Sequence, residues 1–290
     1  AILVLWIFRC QKPAAAVRNY KKRKGSNTMY EELYEPLPQT EPYLKRLGLD
    51  TVPAADKKNL DRLIYAHQLH VPFEDLDVCE FKRTASLSIS SLYEKIVWKK
   101  RGGYCYELNA LFASLLTACG YEVTPCMARI IRDCGDEFIP PISHRINLVR
   151  IDGQQYFCDV GYGGPMPAAS MPLIDGWEEC IKGQTFRLDQ TDAYWWKLSY
   201  CSKDTFSTVM SFTPVPCEPV DFIALNAFAS THEQSVFPRL RMVNLRTPGG
   251  SVSLMGDIFT LSENGEKTIR QITEEEFLPI LEQYFHLHIS

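Results

Sequence analysis

The sequence predicts an α+β fold with three parts, in the order helices, strands and a mixed cap. Changes in the spacing of apolar residues support this order. Apolar residues recur at helical spacing over residues 29–120, alternate with polar residues over 121–220, and show both patterns over 221–290. A chain of 290 residues buries enough surface to fold without a metal or a disulfide. We therefore expect one large core or two to three packed domains divided at these bounds, the middle part a β sheet or barrel.

Apolar stripes and end signals identify the helices of the first part. Residues 41–48 close on a C-cap glycine, and residues 56–69 and 90–100 carry apolar side chains three and four positions apart. A further helix follows two glycines at positions 102 and 103 and ends at Gly120. Its buried side consists of Leu108, Leu111, Phe112, Leu115 and Leu116.

Alternating runs bounded by turn residues predict the strands of the middle part, at residues 123–131, 145–151, 156–160 and 194–200. In the last part, the sequence predicts a helix at 221–230, strands at 242–245 and 251–261, and a terminal helix. Thr273 and Glu276 open the terminal helix as a capping box. Its buried stripe consists of Phe277, Ile280, Leu281 and Tyr284.

Residues 1–28 stand apart from the rest of the chain. Their apolar run, residues 1–8, is much shorter than the roughly 20 residues that cross a bilayer. Positive charges follow this run, whereas in a signal peptide they precede it. We expect a disordered or non-native leader with Met29 as the true start. A membrane tether or a nuclear signal is the alternative.

Composition excludes several classes of function. The net charge is −4, and the one dense basic run, residues 21–24, lies in the leader, so we expect neither a nucleic-acid nor a membrane partner. The ten cysteines form no CxxC pair and no zinc-like spacing with histidine, so no metal site is expected. Scattered cysteines are typical of reduced thiols in a cytoplasmic protein.

One cysteine has the surroundings of a nucleophile. Cys105 follows Gly102 and Gly103, which allow a tight turn, and falls in the first turn of the helix that ends at Gly120. The positive end of a helix dipole favours the thiolate, and free N–H groups at a helix start stabilise an oxyanion. The alternative is a small buried cysteine with no chemical role.

A hairpin places an acid beside a base. Asp152 and Gly153 form the strongest short hairpin signal, and with these two as the loop Ile151 lies opposite Gln154. His144 and Asp159 are then diagonal neighbours on one face, within reach of a hydrogen bond. A carboxylate that holds one imidazole nitrogen leaves the other to take a thiol proton. A register slip of one residue would separate them, and a structural histidine is the alternative.

Four motifs occur in order along the chain. They are Val-Pro-Phe-Glu at 71–74, Arg-Gly-Gly-aromatic-Cys at 101–105, His144 before an apolar strand, and Asp-Val-Gly-Tyr-Gly at 159–163. Together they resemble the arylamine N-acetyltransferases, fungal members included. Weaker similarity continues to the C-terminus. The resemblance therefore covers the chain from Met29 onward, and the order of the motifs together is specific.

The resemblance implies a helical first domain, a β-barrel second domain and an α/β lid, with a cysteine-protease-like triad of Cys105, His144 and Asp159. It also implies ping-pong acyl transfer without a tightly bound cofactor. The Cys105 thiolate takes the acetyl group of the co-substrate acetyl-CoA, and an arylamine, arylhydrazine or N-hydroxyarylamine attacks the thioester. His144 would carry the proton and Asp159 would orient His144.

Supporting residues follow from the same resemblance. Arg101 would pair with Glu74 and fix the turn before Cys105, and the protein would act as a monomer on small aromatic amines or hydrazines and acyl-CoA. The residues expected to contact CoA are Phe138, Pro140, Pro141 and Gly163.

Two departures from the family pattern leave alternatives open. Asp75 and Asp77 replace the usual asparagines and are expected to add two negative charges near Arg101. The loop at residues 131–143 leaves the acyl donor open, so malonyl-CoA is an alternative to acetyl-CoA. A papain- or transglutaminase-like thiol enzyme and a non-catalytic binding protein are further alternatives.

Overall fold

The computed structural model describes residues 29–132, 134 and 138–289. Within these residues the strands form one sheet of eight strands and one of five, and α-helices precede, separate and follow the two sheets. The predicted α+β class is confirmed. The leader expected at residues 1–28 lies outside the described residues.

The first part is helical, as predicted. Its helices are α1 (Thr40–Arg46), α2 (Lys57–His70), α3 (Leu76–Cys79), α4 (Ile89–Tyr93) and α5 (Cys105–Ala118), with a two-residue strand β1 (Phe73–Glu74) and a 3-10 turn at Glu31–Leu33. The predicted end signals are present. Asp56 caps α2 by accepting a hydrogen bond from the Asn59 N–H at 2.8 Å, and Gly48 after α1 has a φ of +71°.

The helical stretch predicted at residues 90–100 is present, but its second half has a wider turn than an α-helix. α4 ends at Tyr93, and the chain continues as a π-helical turn over Glu94–Trp98. The Lys99 N–H closes this wider turn by donating to the Glu94 carbonyl at 2.9 Å, five residues back. Over so short a stretch, apolar spacing does not distinguish a π turn from an α turn.

The middle part forms the eight-stranded sheet. Its strands are β2 (Glu122–Ile130), β3 (His144–Ile151), β4 (Gln154–Cys158), β5 (Met171–Pro172), β6 (Trp177–Ile181), β7 (Gln184–Gln190), β8 (Trp196–Ser202) and β9 (Thr205–Phe212). The sheet order is β5-β4-β3-β2-β9-β8-β7-β6, and its edge strands β5 and β6 contact each other. The sheet is therefore a nearly closed barrel around an apolar core.

The last part contains α6 (Phe222–Thr231), β10 (Met242–Thr247), β11 (Gly250–Met255), β12 (Ile258–Glu263), β13 (Glu266–Gln271) and α7 (Glu274–Phe285). The single run predicted at 251–261 is wrong, because Gly256 at φ +61° turns the chain and makes two strands. The predicted capping box of α7 is confirmed, since Glu276 Oε2 accepts from the Thr273 N–H at 2.9 Å.

The three parts share their cores. β1, from the helical part, pairs with β10. The five-stranded sheet therefore takes its edge strand from the two residues that lie just before α3 in sequence. Leu76 packs in the core of the last part, and Val149 and Val160 from the barrel pack in the helical core. The start of α5 lies where these parts meet. The domain bounds at residues 120 and 220 stay predictions.

Candidate active site

Cys105 is the first residue of α5, where the Gly-Gly motif predicts it. The turn before it is closed by Glu107, whose Oε2 accepts a hydrogen bond from the Tyr104 N–H at 3.0 Å. Gly103 is needed at this turn because a Cβ there would lie 2.8 Å from Glu107 Oε2. The thiol therefore lies where the helix dipole and first-turn N–H groups without intrahelical acceptors favour negative charge.

An ion pair holds the backbone that leads into this turn. Arg101 Nε donates to Glu74 Oε1 at 2.9 Å, and Arg101 Nη2 lies 2.8 Å from the same oxygen. Glu74 is fully buried, and its N–H donates to the Gly103 carbonyl at 2.9 Å. The structure thus contains the pair that the family resemblance implies, and this pair joins β1 to the turn.

The two aspartates that depart from the family pattern differ in their surroundings. Asp77 Oδ1 lies 3.2 Å from Arg101 Nη2, as expected. Asp75 does not contact Arg101, because its Oδ1 accepts from the Met242 N–H at 2.9 Å. Burial, opposed by this hydrogen bond, raises the pKa of Asp75 to about 8. Asp75 is therefore mostly protonated at neutral pH, and the expected second charge near Arg101 is wrong.

The hairpin of β3 and β4 has the predicted register. Asp152 and Gly153 form its loop, and both have positive φ, as a type I′ turn requires. The ladder ends at Cys158, and the next residue turns its carboxylate toward the start of β3. His144 Nε2 and Asp159 Oδ2 lie 2.7 Å apart, and both residues are buried. The predicted contact between base and acid is therefore present.

Asn109 links α5 to this hairpin. It lies one helical turn after Cys105, and its Nδ2 donates to Asp159 Oδ1 at 2.8 Å and to the Arg145 carbonyl at 2.6 Å. Its Oδ1 accepts from the Val160 N–H at 3.1 Å. One side chain thus uses both ends of its amide to fix the hairpin against the helix that carries the thiol.

Gly161 allows the hairpin to approach α5 closely. Its N–H donates to Asp159 Oδ1 at 2.7 Å. A Cβ at this position would lie 2.8 Å from Cys105 Cα and 2.7 Å from Asn109 Nδ2, closer than real Cβ contacts occur. Only glycine lets the chain after Asp159 pass along the first turn of α5.

The electrostatics of the site favour a charged imidazole. Burial by itself lowers the pKa of His144, but the charges of Asp159 and of the Cys105 thiolate, and hydrogen bonds to both, raise it to about 10. Nε2 faces Asp159, so this carboxylate leaves the other ring nitrogen of His144 unused. The arrangement stabilises a charged imidazole at neutral pH.

The residues predicted to contact CoA differ in their exposure and in their neighbours. Phe138 is 62% exposed and Pro141 is exposed, whereas Pro140 is buried and its carbonyl accepts from Arg129 at 2.6 Å. This loop ends beside Cys105, because the Cys105 thiol lies 3.9 Å from the Ser143 carbonyl. Gly163 lies against Phe73, whose ring a Cβ would approach to 2.8 Å. Contacts of these residues with CoA stay predictions.

Other parts of the described chain offer no competing centre. A cavity of about 450 Å³ lies along a different face of α5, lined by Ala113, Ser114 and Leu37 among others, and no triad residue lines it. The described residues contain no cluster of ligands suited to a metal ion, and none of their helices is long and apolar enough to span a membrane. Their nine cysteines are all free thiols.

Comparisons with known proteins agree with this geometry. A sequence profile of the N-acetyltransferase family matches residues 56–290. An arylamine N-acetyltransferase of Mycolicibacterium smegmatis is 29% identical over 231 residues, which cover 77% of this chain and 82% of the relative. The chain belongs to the arylamine N-acetyltransferase family. The human arylamine N-acetyltransferase 1 is 26% identical and covers 86% of this chain and 94% of its own length.

Solved arylamine N-acetyltransferase structures have the same fold. The enzyme of Mycobacterium abscessus superimposes with a TM-score of 0.81 at 27% identity, covering 92% of this chain and 94% of its own. That of Mycobacterium marinum, solved in complex with CoA, has a TM-score of 0.81 at 26% identity over 86% of this chain and 93% of its own. The predicted three-part fold is therefore that of arylamine N-acetyltransferases.

The sequence did not identify two supporting residues of this arylamine N-acetyltransferase site. Asn109 has a usable signal, since it lies four positions after Cys105 and so shares its helix face. Tyr104 has none, because its hydroxyl bonds to Asn226 and, at 3.0 Å, to Ser230 in the distant α6. Tyr104 thereby anchors the last part of the chain on the turn that carries the thiol.

Proposed function

We propose that the protein is an arylamine N-acetyltransferase. It transfers the acetyl group of acetyl-CoA to the nitrogen of arylamines, arylhydrazines or N-hydroxyarylamines through a Cys105 thioester. The single observation that supports this most is the bonded arrangement in which Asn109 ties the helix of Cys105 to the hydrogen-bonded His144 and Asp159. The family relatives named above support the substrate class.

The first half-reaction forms the acyl-enzyme. The Cys105 thiolate attacks the thioester carbonyl of acetyl-CoA, and first-turn N–H groups of α5 stabilise the oxyanion. The carbon–sulfur bond to CoA breaks, and the imidazolium of His144 gives its proton to the departing CoA thiolate. The products are free CoA, acetyl-Cys105 and neutral His144, which Asp159 keeps oriented.

The second half-reaction returns the enzyme to its starting state. The nitrogen of the amine attacks acetyl-Cys105, and neutral His144 takes a proton from that nitrogen. The carbon–sulfur bond to Cys105 breaks and the thiolate is restored beside the imidazolium. The raised pKa of His144, about 10, supports this resting state, because a group that stays charged at neutral pH is ready to protonate the CoA thiolate.

Supporting roles and the setting of the reaction form part of the proposal. Arg101 and Glu74 hold the turn, and Phe138, Pro140, Pro141 and Gly163 contact CoA. We further propose that the protein is a cytoplasmic monomer. The nine free thiols of the described residues support a reducing compartment, and sedimentation equilibrium at micromolar concentration tests the monomer.

Intact-protein mass spectrometry tests the proposed function directly. The protein is mixed with acetyl-CoA or with malonyl-CoA, and we expect a gain of one acetyl group that is lost when an arylamine is added. Cys105→Ala should show no gain, while Cys217→Ala, at a partly exposed thiol, should acetylate as the unchanged protein does. A gain that persists in Cys105→Ala contradicts the nucleophile, a malonyl gain alone contradicts the donor, and no gain favours a hydrolytic thiol enzyme.

A further inference from the structure

Five charged side chains form a cluster directly behind the turn that carries Cys105. We call them the turn cluster, and its members are Glu74, Asp77, Lys95, Arg101 and Glu107. The side chains are between 0% and 23% exposed, so water screens their charges little. Lys95 belongs to the π-helical turn that sequence patterns did not predict.

Lys95 has a position in the cluster that Arg101 does not share. Its Nζ lies 2.8 Å from Glu107 Oε1 and 2.7 Å from Asp77 Oδ2. The hydrogen bonds of Arg101 go to Glu74 and Asp77 and not to Glu107. Among the described residues, Lys95 is therefore the one cation that joins the carboxylate on α5 to the carboxylates of β1 and α3.

The second oxygen of Glu107 continues this connection to the backbone. Glu107 Oε1 accepts from Lys95, while Oε2 accepts from the Tyr104 N–H, one residue before the thiol. A cation that fixes this carboxylate therefore fixes the peptide that leads into Cys105. The ammonium of Lys95 is separated from the Cys105 backbone by one carboxylate and one peptide.

We infer that Lys95 is a positioning residue for Cys105, acting through Glu107 on the geometry of the nucleophile turn. The inference rests on the proposed role of Cys105 as the nucleophile. In this role Lys95 does not itself contact the substrate. A shift of about 1 Å in a reacting group costs on the order of a hundredfold in rate, so a buried support at this place is expected to affect the chemical step.

The charge balance of the turn cluster makes the inference testable with neutral isosteres. With every member ionised, three carboxylates face two cations and the net charge is −1. Lys95→Gln changes the net charge to −2, and Glu107→Gln changes it to zero. The double variant returns it to −1, and the side-chain amide that Glu107→Gln introduces keeps a carbonyl oxygen that can accept from the Tyr104 N–H.

Protonation of Glu107 supplies a second readout. Burial raises the pKa of Glu107 to about 7; Lys95 opposes this, and Glu74 and Asp77 reinforce it. Arg101 forms ion pairs with these two carboxylates. Removing Lys95 raises the pKa of Glu107 further, so in Lys95→Gln the carboxyl is neutral at low pH and the net charge of the cluster returns to −1. The defect of Lys95→Gln should therefore shrink as pH falls.

The experiment is a double-mutant cycle on the rate of Cys105 alkylation by iodoacetamide and on the rate of acetyl-Cys105 formation. Both rates are expressed per folded molecule, well below the unfolding temperature. Lys95→Gln should slow both by about tenfold to a hundredfold. In the Glu107→Gln background the same change should cost less than about threefold, because the pair is already absent. Lys99→Gln, 65% exposed, is the matched control and should change neither rate.

The pH dependence separates positioning from a general structural role. The ratio of the Lys95→Gln rate to the wild-type rate should rise severalfold between pH 8.5 and pH 6. A purely structural role would lower the unfolding temperature and leave this ratio constant. If Lys95→Gln does not fold, Lys95→Arg takes its place in the cycle, since a guanidinium keeps the charge and changes the geometry. The loss of its cost in the Glu107→Gln background is then the deciding readout, and the pH ratio is not used.

Three results would overturn the inference: Lys95→Gln rates within twofold of wild type, an equal cost in both Glu107 backgrounds, or a ratio independent of pH. The alkylation arm needs no acyl donor. A protein that is alkylated at Cys105 as described but takes no acyl group from either donor would refute the proposed function and leave the role of Lys95 supported.

Discussion

The turn before Cys105 and the β3–β4 hairpin contribute to the same candidate site but are held in place by different forces. The turn depends on buried charges from β1, α3 and the π-helical turn, which are distant from Cys105 in sequence. The hairpin depends on a two-residue loop and its own ladder up to Cys158, and Asn109 of α5 holds Asp159 just beyond that ladder, where it meets His144. One half is assembled by buried ion pairs and the other mainly by register.

This difference determines how each half responds to damage. An ion pair in the interior loses its value when one partner is removed, because the other charge stays buried. A hairpin keeps its register after most side-chain changes, since backbone hydrogen bonds and the loop define it. Substitutions at the turn should therefore lower stability and activity together, whereas substitutions in the hairpin should affect activity with the fold intact.

Asp159→Asn tests the hairpin half and should have the largest effect. The amide is nearly isosteric but cannot stabilise the imidazolium, so we expect turnover of an arylamine to fall by about 10³–10⁴-fold. Circular dichroism should show an intact fold, whereas the unfolding temperature should fall below wild type because His144 loses the charge that raises its pKa. Asp152→Asn in the loop of the same hairpin is the control and should keep full turnover. Near-wild-type turnover of Asp159→Asn would contradict the assigned role.

Arg101→Met tests the turn half. It leaves Glu74 buried without its main partner, so we expect the free energy of unfolding to fall by about 3–5 kcal/mol, measured by urea denaturation. Arg150→Met removes an exposed pair with Glu122 and should cost about 0–1 kcal/mol. Equal losses in the two variants would show that the turn does not depend on buried charge.

Asn109→Ala tests the link between the halves. The buried Arg145 carbonyl and Val160 N–H lose their side-chain partner, so stability should fall by about 1–3 kcal/mol. Turnover should fall by about a hundredfold, because the hairpin is no longer fixed against the thiol. The control is Asn147→Ala, which removes a different hydrogen bond to α5. A comparable loss of turnover in the control would assign the effect to stability alone.

The pH dependence of stability is the smallest expected effect. The pKa of His144 is raised from 6.5 to about 10 in the folded protein. Its charged form therefore stabilises the fold fully below pH 6.5, and this contribution is lost as pH rises toward 10. The free energy of unfolding of the wild type, relative to that of Asp159→Asn, should therefore fall between pH 7 and pH 9 in urea denaturation. A difference that stays constant over that window would contradict the raised pKa of His144.

The sequence predicted the parts of the fold that local patterns determine. The helix that begins at Cys105, the capping box at Thr273 and the Asp152-Gly153 hairpin all agree with the structure because each follows from neighbouring residues. The π-helical turn and the split of residues 251–261 into two strands were not predicted. Their apolar spacing is compatible with more than one local geometry.

The candidate site divides in the same way. The contact of His144 with Asp159 followed from hairpin register, and the place of Cys105 followed from two glycines. The connection between the halves did not, since Asn109 and Asp159 are 50 residues apart in sequence and no local rule pairs them. Family resemblance alone brought Cys105 to the hairpin, and the Asn109 hydrogen bonds now supply the physical contact.

The passage of Gly161 along the first turn of α5 bears on biosynthesis. Cys105 leaves the ribosome well before His144 and Asp159, so for part of translation its helix has no base to face. Only when the hairpin has formed and passed over the turn does the thiol acquire its partners. In the proposed mechanism the cysteine therefore gains its base only once the chain through Gly161 has been made and folded.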